Sequence, residues 1–489
     1  MQQSLTQWKR RKLQESIGDG SSSGSGGGGG GGARVGPRAT LREGLCVCMA
    51  DWRTEVLQRF MGDLTFLPRA VFDTGTPPQP ICCYQVDDGG SLRLPRCYRG
   101  LGAAADVEDR LCCGDALAPQ LEFRGQLSEL QTAAFDASCT ALARAPFACI
   151  LTLPCGFGKT VVSLRVALAL GRKTLVVVHK ENLLEQWRER IGSFLPAARV
   201  GVIQRQRADF EQADVAVAML QTLCTRAPPP GCLESFGLVI LDEAHHLAAP
   251  YFSQLFFKLP CRHLLGLTAT PRRKDGCTEI LHLFMGPFGF QLAARSDAEV
   301  RVYTQSWHNS FSCRHDPTPP EVQRLKTRLT ADERRNARLV ELCGAAVAAE
   351  RNVICLSERV EHLTGLKRLF VERCPDVPCA LFVGGRSKAN LEERRRAEDE
   401  ARVIFATFAM AAEGLDIPRL DTLLLATPAG DVTQAVGRVL RPCADKKAPV
   451  VVDLCDDGCK AFLRLALVRR GCFERSAFRL LQDQEPCFE

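Results

Sequence analysis

Residues 153–160, LPCGFGKT, end in Gly-Lys-Thr and carry the parts of a phosphate-binding loop. Gly156 and Gly158 leave room for close backbone approach to an anion. Lys159 can reach the outer phosphates of a nucleotide, and the Thr160 hydroxyl can stand beside Mg²⁺. The usual pattern GxxxxGK[ST] has glycine where this chain has Leu153, so the stretch alone reads equally well as a structural turn. Further along, residues 237–247 (GLVILDEAHHL) run an apolar stretch into two carboxylates and a histidine. Asp242 at such a strand end can hold Mg²⁺ through water, and Glu243 can orient or deprotonate an attacking water. Capping of the next helix is the alternative reading. In residues 434–442 (QAVGRVLRP), Arg438 and Arg441 stand three apart. They share a helical face and can approach one phosphate together; a salt-bridged surface helix is the bland alternative.

These groups meet only if separate elements bring them together. The loop follows an apolar run and precedes TVVSLRVALALGRK, whose spacing predicts a helix ending near Gly171. Strand, loop and helix in that order offer a phosphate the free N–H groups and partial positive charge of a helix start. The runs CILTL, TLVVVH, VAVAML, FGLVILD and HLLGLTAT predict buried strands alternating with helices, hence a parallel sheet. A second series follows in NVICLS, ALFVGG, RVIFATF, TLLLATP and APVVVDL. Residues 307–323 contain prolines, lack strand periodicity and are expected in a connector. Before residue 119 the sequence mixes apolar stretches with turn signals, and DDGG at 87–90 predicts a hairpin. Residues 18–32 (GDGSSSGSGGGGGGG) have no side chains to bury and read as a flexible linker. The expected organisation is α/β: a disordered tail (1–34), a small α+β accessory domain (35–118), a first parallel-sheet domain (119–300), a linker (301–330) and a second such domain (331–489).

Composition excludes several classes. Hydrophobic residues at 46% and charged residues at 24% of 489 suit a soluble globular chain with ample core. No apolar run approaches membrane-span length, and the N-terminus lacks the apolar core of a secretory signal, so an intracellular, soluble protein is expected. The 24 cysteines include no CxxC pair, which favours reduced apolar side chains. Were there a metal site, Cys46, Cys48, Cys82, Cys97 and Cys112 would be the ligands to test. The net charge of +7 permits a nucleic-acid partner without announcing one. The basic run Lys9 to Lys12 reads as a solvated tail, with a nuclear address or phosphate contact as alternatives.

The order GKT, DEAH, LTATP (267–271) resembles the first half of a superfamily 2 helicase or translocase, many of which lack the first loop glycine. Residues 403–418 (VIFATFAMAAEGLDIP) resemble motif V and residues 434–442 motif VI, with Ala435 where many relatives have arginine. Residues 123–135 and 268–287 are similar to the helicases of large nucleocytoplasmic DNA viruses, including the poxvirus transcription helicase. That group is related to the eukaryotic excision-repair and transcription helicase, whose Arg-Glu-Asp triplet falls on Arg273, Lys274 and Asp275 here. The resemblance covers the chain from about residue 75 and implies two RecA-like domains that bind ATP and Mg²⁺ in the cleft between them. It implies nucleotide contacts at Phe157, Gln131, Gly414 and Asp416, and a catalytic part for Gln434 beside the two arginines. His179 and Lys180 fall in motif Ia, Gln221 and Thr222 in motif Ic, Arg359 and His362 in motif IV, and Thr407 in motif V, all as nucleic-acid contacts. DNA rather than RNA is the expected partner, alongside transcription or repair proteins. A double-strand translocase, an RNA remodeller and a binding scaffold with a dead ATPase remain open alternatives.

Overall fold

The computed structural model describes residues 38–489, except 69–78, 103–104, 155, 246–251, 270–274, 293–298, 314, 385–391, 394, 396–398, 414–416, 431, 440–442 and 444–445. The first parallel-sheet unit is built on strands Arg207–Ala208, Val200–Gln204, Val215–Met219, Thr174–Val178, Leu238–Leu241, His263–Thr268, Ala148–Thr152 and Phe288–Gln291, in that order across the sheet. All neighbours are parallel except the short antiparallel edge pair 200–204/207–208. The five expected strands are all present. Their continuous apolar runs reflect burial on both faces: Ala148–Thr152 and Thr174–Val178 are buried at every position. Alternate residues serve two cores. Cys149, Leu151, Val176 and Val178 pack with Val162, Leu184, Trp187 and Ile191 of the helices Lys159–Leu170 and Glu181–Phe194. Ile150, Leu175 and Val177 belong to a core on the opposite side.

That second core is shared with the N-terminal region. There a five-stranded sheet runs Gln85–Val86, Ser91–Leu94, Leu45–Cys48, Arg38–Leu41, Asp106–Asp109, beside the helix Thr54–Asp63. Leu45, Val47, Leu57 and Phe60 join one apolar cluster with Leu255, Phe257 and Phe284 of the first parallel-sheet unit. Backbone bonds stitch the seam: Cys97 N–H donates to Leu283 O at 3.0 Å, Cys112 N–H to Pro260 O at 2.8 Å, and Arg262 N–H to Cys112 O at 2.7 Å. The expected hairpin at 87–90 is formed, with strands 85–86 and 91–94 antiparallel; Ser91 N–H donates to Asp87 Oδ1 at 2.8 Å and Gly90 takes φ 82°.

The second parallel sheet runs Cys379–Phe382, Val403–Thr407, Val353–Ser357, Thr422–Leu425, Val450–Asp456, Arg301–Trp307, Arg479–Gln482, parallel throughout. Helices Glu333–Ala348 and Val360–Arg373 cover one face, through Leu339, Cys343 and Phe370. Helices Thr433–Val439 and Lys460–Arg475 cover the other, through Val436, Val439 and Phe473. Residues 301–330, expected as a linker, hold the strand Arg301–Trp307 and the helix Pro319–Thr330. The strand was hidden because its sequence, RVYTQSW, lacks a buried apolar run. Its place comes from pairing with 450–456 on one side and 479–482 on the other. The helix begins at a Thr318/Glu321 capping box and packs Leu325 and Leu329 near Phe311 and Phe462. Among the described residues no helix is long and apolar enough to cross a membrane, and no group of three or more His, Cys, Asp or Glu side chains could hold a metal ion.

Candidate functional site

The loop glycines are required by conformation. Gly156 and Gly158 sit at φ 82° and 89°, where a side chain is strained. A Cβ on Gly158 would also lie 2.7 Å from Gln131 Nε2. Gly158 caps the helix Lys159–Leu170 with no side-chain bond to its first turn and no acidic residue there. The helix start is therefore chemically suited to an anion. Cys155 lies outside the described residues.

Lys159 and Glu243 arrive from strands that are not neighbours, since His263–Thr268 lies between Ala148–Thr152 and Leu238–Leu241. Strands lie about 4.8 Å apart, so the gap of two spacings is roughly 10 Å and needs two long side chains to bridge it. Lys159 Nζ reaches to 3.4 Å from Glu243 Oε1, with both side chains 13% exposed. Asp242 is held from two sides: Trp187 Nε1–H donates to Oδ2 at 2.8 Å and the Glu243 amide to Oδ1 at 3.0 Å. Burial, and then the neighbouring Glu243 charge, push the Asp242 carboxyl above the usual carboxylate range, against Lys159 and the indole. Glu243 itself adopts φ 47°, a left-handed conformation costing a non-glycine residue about 1–3 kcal/mol. His245 completes the cluster, with Nδ1 3.4 Å from Glu243 Oε2 and 3.2 Å from Thr268 Oγ1. The carboxylate turn is thereby tied to the end of the intervening strand. A hydroxyl at the helix start (Thr160) and a buried carboxylate with excess negative charge form a hard-oxygen donor set of the kind Mg²⁺ takes.

Gln131 is engaged with protein. Its Oε1 accepts from the Ser128 amide at 3.0 Å in a capping box, and its Nε2–H donates to the Phe157 carbonyl at 2.8 Å. The residue expected at the base thus links the helix Glu129–Leu142 to the phosphate loop.

His179 follows the strand Thr174–Val178, Gln221 lies in the helix Leu220–Thr225 that follows the adjacent strand Val215–Met219, and Gln221 Nε2–H donates to the His179 carbonyl at 2.8 Å. Thr222 Oγ1 accepts from the Arg205 amide at 3.1 Å. Burial lowers the pKa values of His179 and Lys180, and the Lys180 charge adds to the effect on His179. In the second sheet Arg359 Nη2–H donates to Gln323 Oε1 at 2.8 Å, and Thr407 Oγ1 accepts from the Met410 amide at 3.3 Å. His362 does not fit a contact role: it is 5% exposed and sits between Ser357 Oγ (3.0 Å) and Asn336 Oδ1 (2.8 Å). Gly414, Asp416, Arg441, Arg273 and Lys274 lie outside the described residues. Gln434 and Arg438 belong to the helix Thr433–Val439, with their side chains outside that description. Trp187 was not anticipated, because its bond to Asp242 spans two elements that no local spacing connects.

Residues 124–273 match the family described as type III restriction enzyme, res subunit. A protein of Acanthamoeba polyphaga mimivirus, provisionally named an ATP-dependent RNA helicase, is 25% identical over 444 residues, covering 87% of this chain and 83% of its own. One of African swine fever virus, with the same provisional naming, is 27% identical over 334 residues, covering 63% of this chain and 64% of its own. Among solved structures, Saccharomyces cerevisiae Dbp5 bound to RNA and ADP BeF3 matches the fold with TM-score 0.52 at 14% identity, covering 73% of this chain and 90% of that one. With two parallel sheets, a Gly-Lys-Thr loop and a carboxylate pair facing its lysine, the chain is an ATP-hydrolysing protein that resembles superfamily 2 helicases, those of large DNA viruses among them.

Proposed function

We propose that the chain couples ATP hydrolysis to movement along DNA, as a helicase or translocase. The observation that carries this reading is the 3.4 Å approach of Lys159 to Glu243 beside an open helix start. Incoming phosphates would draw Lys159 away from Glu243 and onto the β/γ-phosphates, at the N-terminus of the helix Lys159–Leu170. Glu243, relieved of that partner, would orient and deprotonate the attacking water. Thr160 and Asp242 would hold Mg²⁺, which when bound neutralises charge on the phosphates. Arg438 and Arg441, with Gln434, would supply fixed cations and a polar contact from the second sheet unit, and Gly414 and Asp416 would complete the nucleotide contacts. Arginines in that role contribute roughly 10³ to 10⁵ in rate.

His179, Lys180, Gln221 and Thr222, with Arg359 and Thr407, would contact the backbone of the strand. A backbone grip of this kind carries little sequence preference and strong salt dependence. RNA is a second reading, favoured by the naming of the two viral relatives as RNA helicases. The resemblance to viral proteins suggests work in viral transcription, repair or replication, in host cytoplasm or nucleus. Steady-state ATPase of the full chain with single-stranded DNA, duplex DNA and RNA tests the reading. The expected result is DNA stimulation that Glu243→Gln abolishes while nucleotide binding persists. Stimulation by RNA alone overturns the DNA assignment, and unchanged turnover in Glu243→Gln overturns the mechanism.

A further inference from the structure

Three arginines of the second sheet unit, at 335, 351 and 469, are almost wholly buried. Arg351 is held by the chain's C-terminal residues, with Nε–H donating to Phe488 O at 2.7 Å. The other two converge on one loop. Asp453 and Asp456 lie on the strand Val450–Asp456, and their odd spacing puts them on opposite faces of the sheet. On one face, Arg335 of the helix Glu333–Ala348 forks onto Asp456 at 2.8 and 2.9 Å and donates through Nη1 to the Ala426 carbonyl. On the other face, Arg469 of the helix Lys460–Arg475 bonds Asp453 Oδ2 at 2.7 Å and donates through Nη1 to the Ala429 carbonyl at 2.6 Å. Thr427, 2% exposed and between them, accepts through Oγ1 from the Glu358 amide at 3.0 Å, next to Arg359. Asp453 Oδ1 is buried with no hydrogen-bond donor among the described residues, so the Arg469 contact holds Asp453 in place with one carboxylate oxygen unsatisfied.

Residues 426–430 therefore connect two places that the proposed cycle uses: the turn at 357–359 and the helix Thr433–Val439, whose sequence carries Arg438. We propose that Arg335 and Arg469 are positioning residues that clamp residues 426–430 from both faces of the sheet, with Thr427 relaying nucleic-acid engagement at the 357–359 turn to the arginine-bearing helix. The clamp rests on the ATPase reading given above. A guanidinium is suited to the task because its planar fork bonds a carboxylate and a carbonyl at once, which an ammonium cannot reproduce.

The test uses the full chain with Arg335→Lys, Arg469→Lys and Thr427→Val, measuring ATPase with and without single-stranded DNA, KM for ATP, and thermal unfolding. A displacement near 1 Å costs on the order of a hundredfold in rate. The lysine variants are expected to lose about 10- to 100-fold in DNA-stimulated kcat, with KM for ATP within about twofold because the phosphate loop and Lys159 belong to the first sheet unit. Thr427→Val keeps the shape and is expected to keep the basal rate while the stimulation ratio collapses toward one. A merely structural role would scale basal and stimulated rates together through the folded fraction. Wild-type stimulation ratios in the folded variants overturn the clamp; if the lysine variants do not fold, the ratio of Thr427→Val decides alone. Absence of ATPase in the unaltered chain, or turnover surviving in Glu243→Gln, refutes the underlying reading instead.

Discussion

His362 gives the chain a stability that acid removes. Burial first, and the Arg335 charge second, push its imidazole down to about 3 from an ordinary 6.5. Below pH 6.5 the unfolded chain binds a proton at this ring, whereas the folded chain refuses it until about pH 3. Protonation thus favours the unfolded state throughout that window, and stability falls as pH falls. The full effect is about 5 kcal/mol, from roughly 3.5 pH units at 1.36 kcal/mol each. Between pH 7.5 and 5.5 the loss is about 1.4 kcal/mol, or about 3–5 °C in Tm for a unit of this size. Thermal unfolding of the chain and of His362→Gln at both pH values reads the effect as a difference, which cancels the other titrating groups. The variant is expected to be less stable at pH 7.5, because Ser357 and Asn336 lose a shaped partner, but to lose about 1.4 kcal/mol less on acidification. Equal acid losses in both proteins would refute the reasoning. Since the ring is buried, DNA stimulation of ATPase should survive the substitution; its loss would restore His362 as a contact.

Gly158→Ala should raise KM for ATP about tenfold or more, because φ 89° strains alanine and its Cβ meets Gln131 Nε2 at 2.7 Å. Nucleotide titration by fluorescence checks it, and unchanged affinity would show that the loop relaxes freely. Trp187→Phe removes the indole donor from buried Asp242 at a cost of about 1.5–3 kcal/mol, read as a lower Tm together with reduced kcat. Wild-type values for both would mean that Asp242 finds another donor.

Much of the first sheet unit was legible because its strands are buried on both faces. CILTL and TLVVVH carry polar residues only near their ends, at Thr152, Thr174 and His179, and Gly-Lys-Thr falls at the join of strand and helix. Legibility failed where burial is partial. Phe288–Gln291 is half-exposed and interrupted by Gly289, and Arg301–Trp307 shows polar groups on both faces. At the site, residue type announced Lys159, Asp242 and Glu243, but not which neighbours hold them. The Trp187 indole reaches Asp242 only because the helix Glu181–Phe194 packs on that face of the sheet. Gln131 and His362 show which partners within the protein the sequence leaves unsaid. Both carry groups able to bind a ligand, and the fold uses them on Phe157 and on Ser357 and Asn336.

The apolar cluster common to the N-terminal region and the first sheet unit bears on how the chain is made and how it can be cut. Leu45, Val47 and Phe60 emerge from the ribosome long before Leu255, Phe257 and Phe284, the side chains against which they close. The N-terminal strands must wait with greasy surface uncovered, a interval in which aggregation competes with folding. A protease that severs the chain near residue 118 would not release a finished module, because both pieces would still share one core. A lineage that discarded residues 38–112 would have to repaint the wall formed by 255–284 with polar side chains. The two regions are therefore expected to be inherited, degraded and chaperoned as a single body, however separate their sequences look.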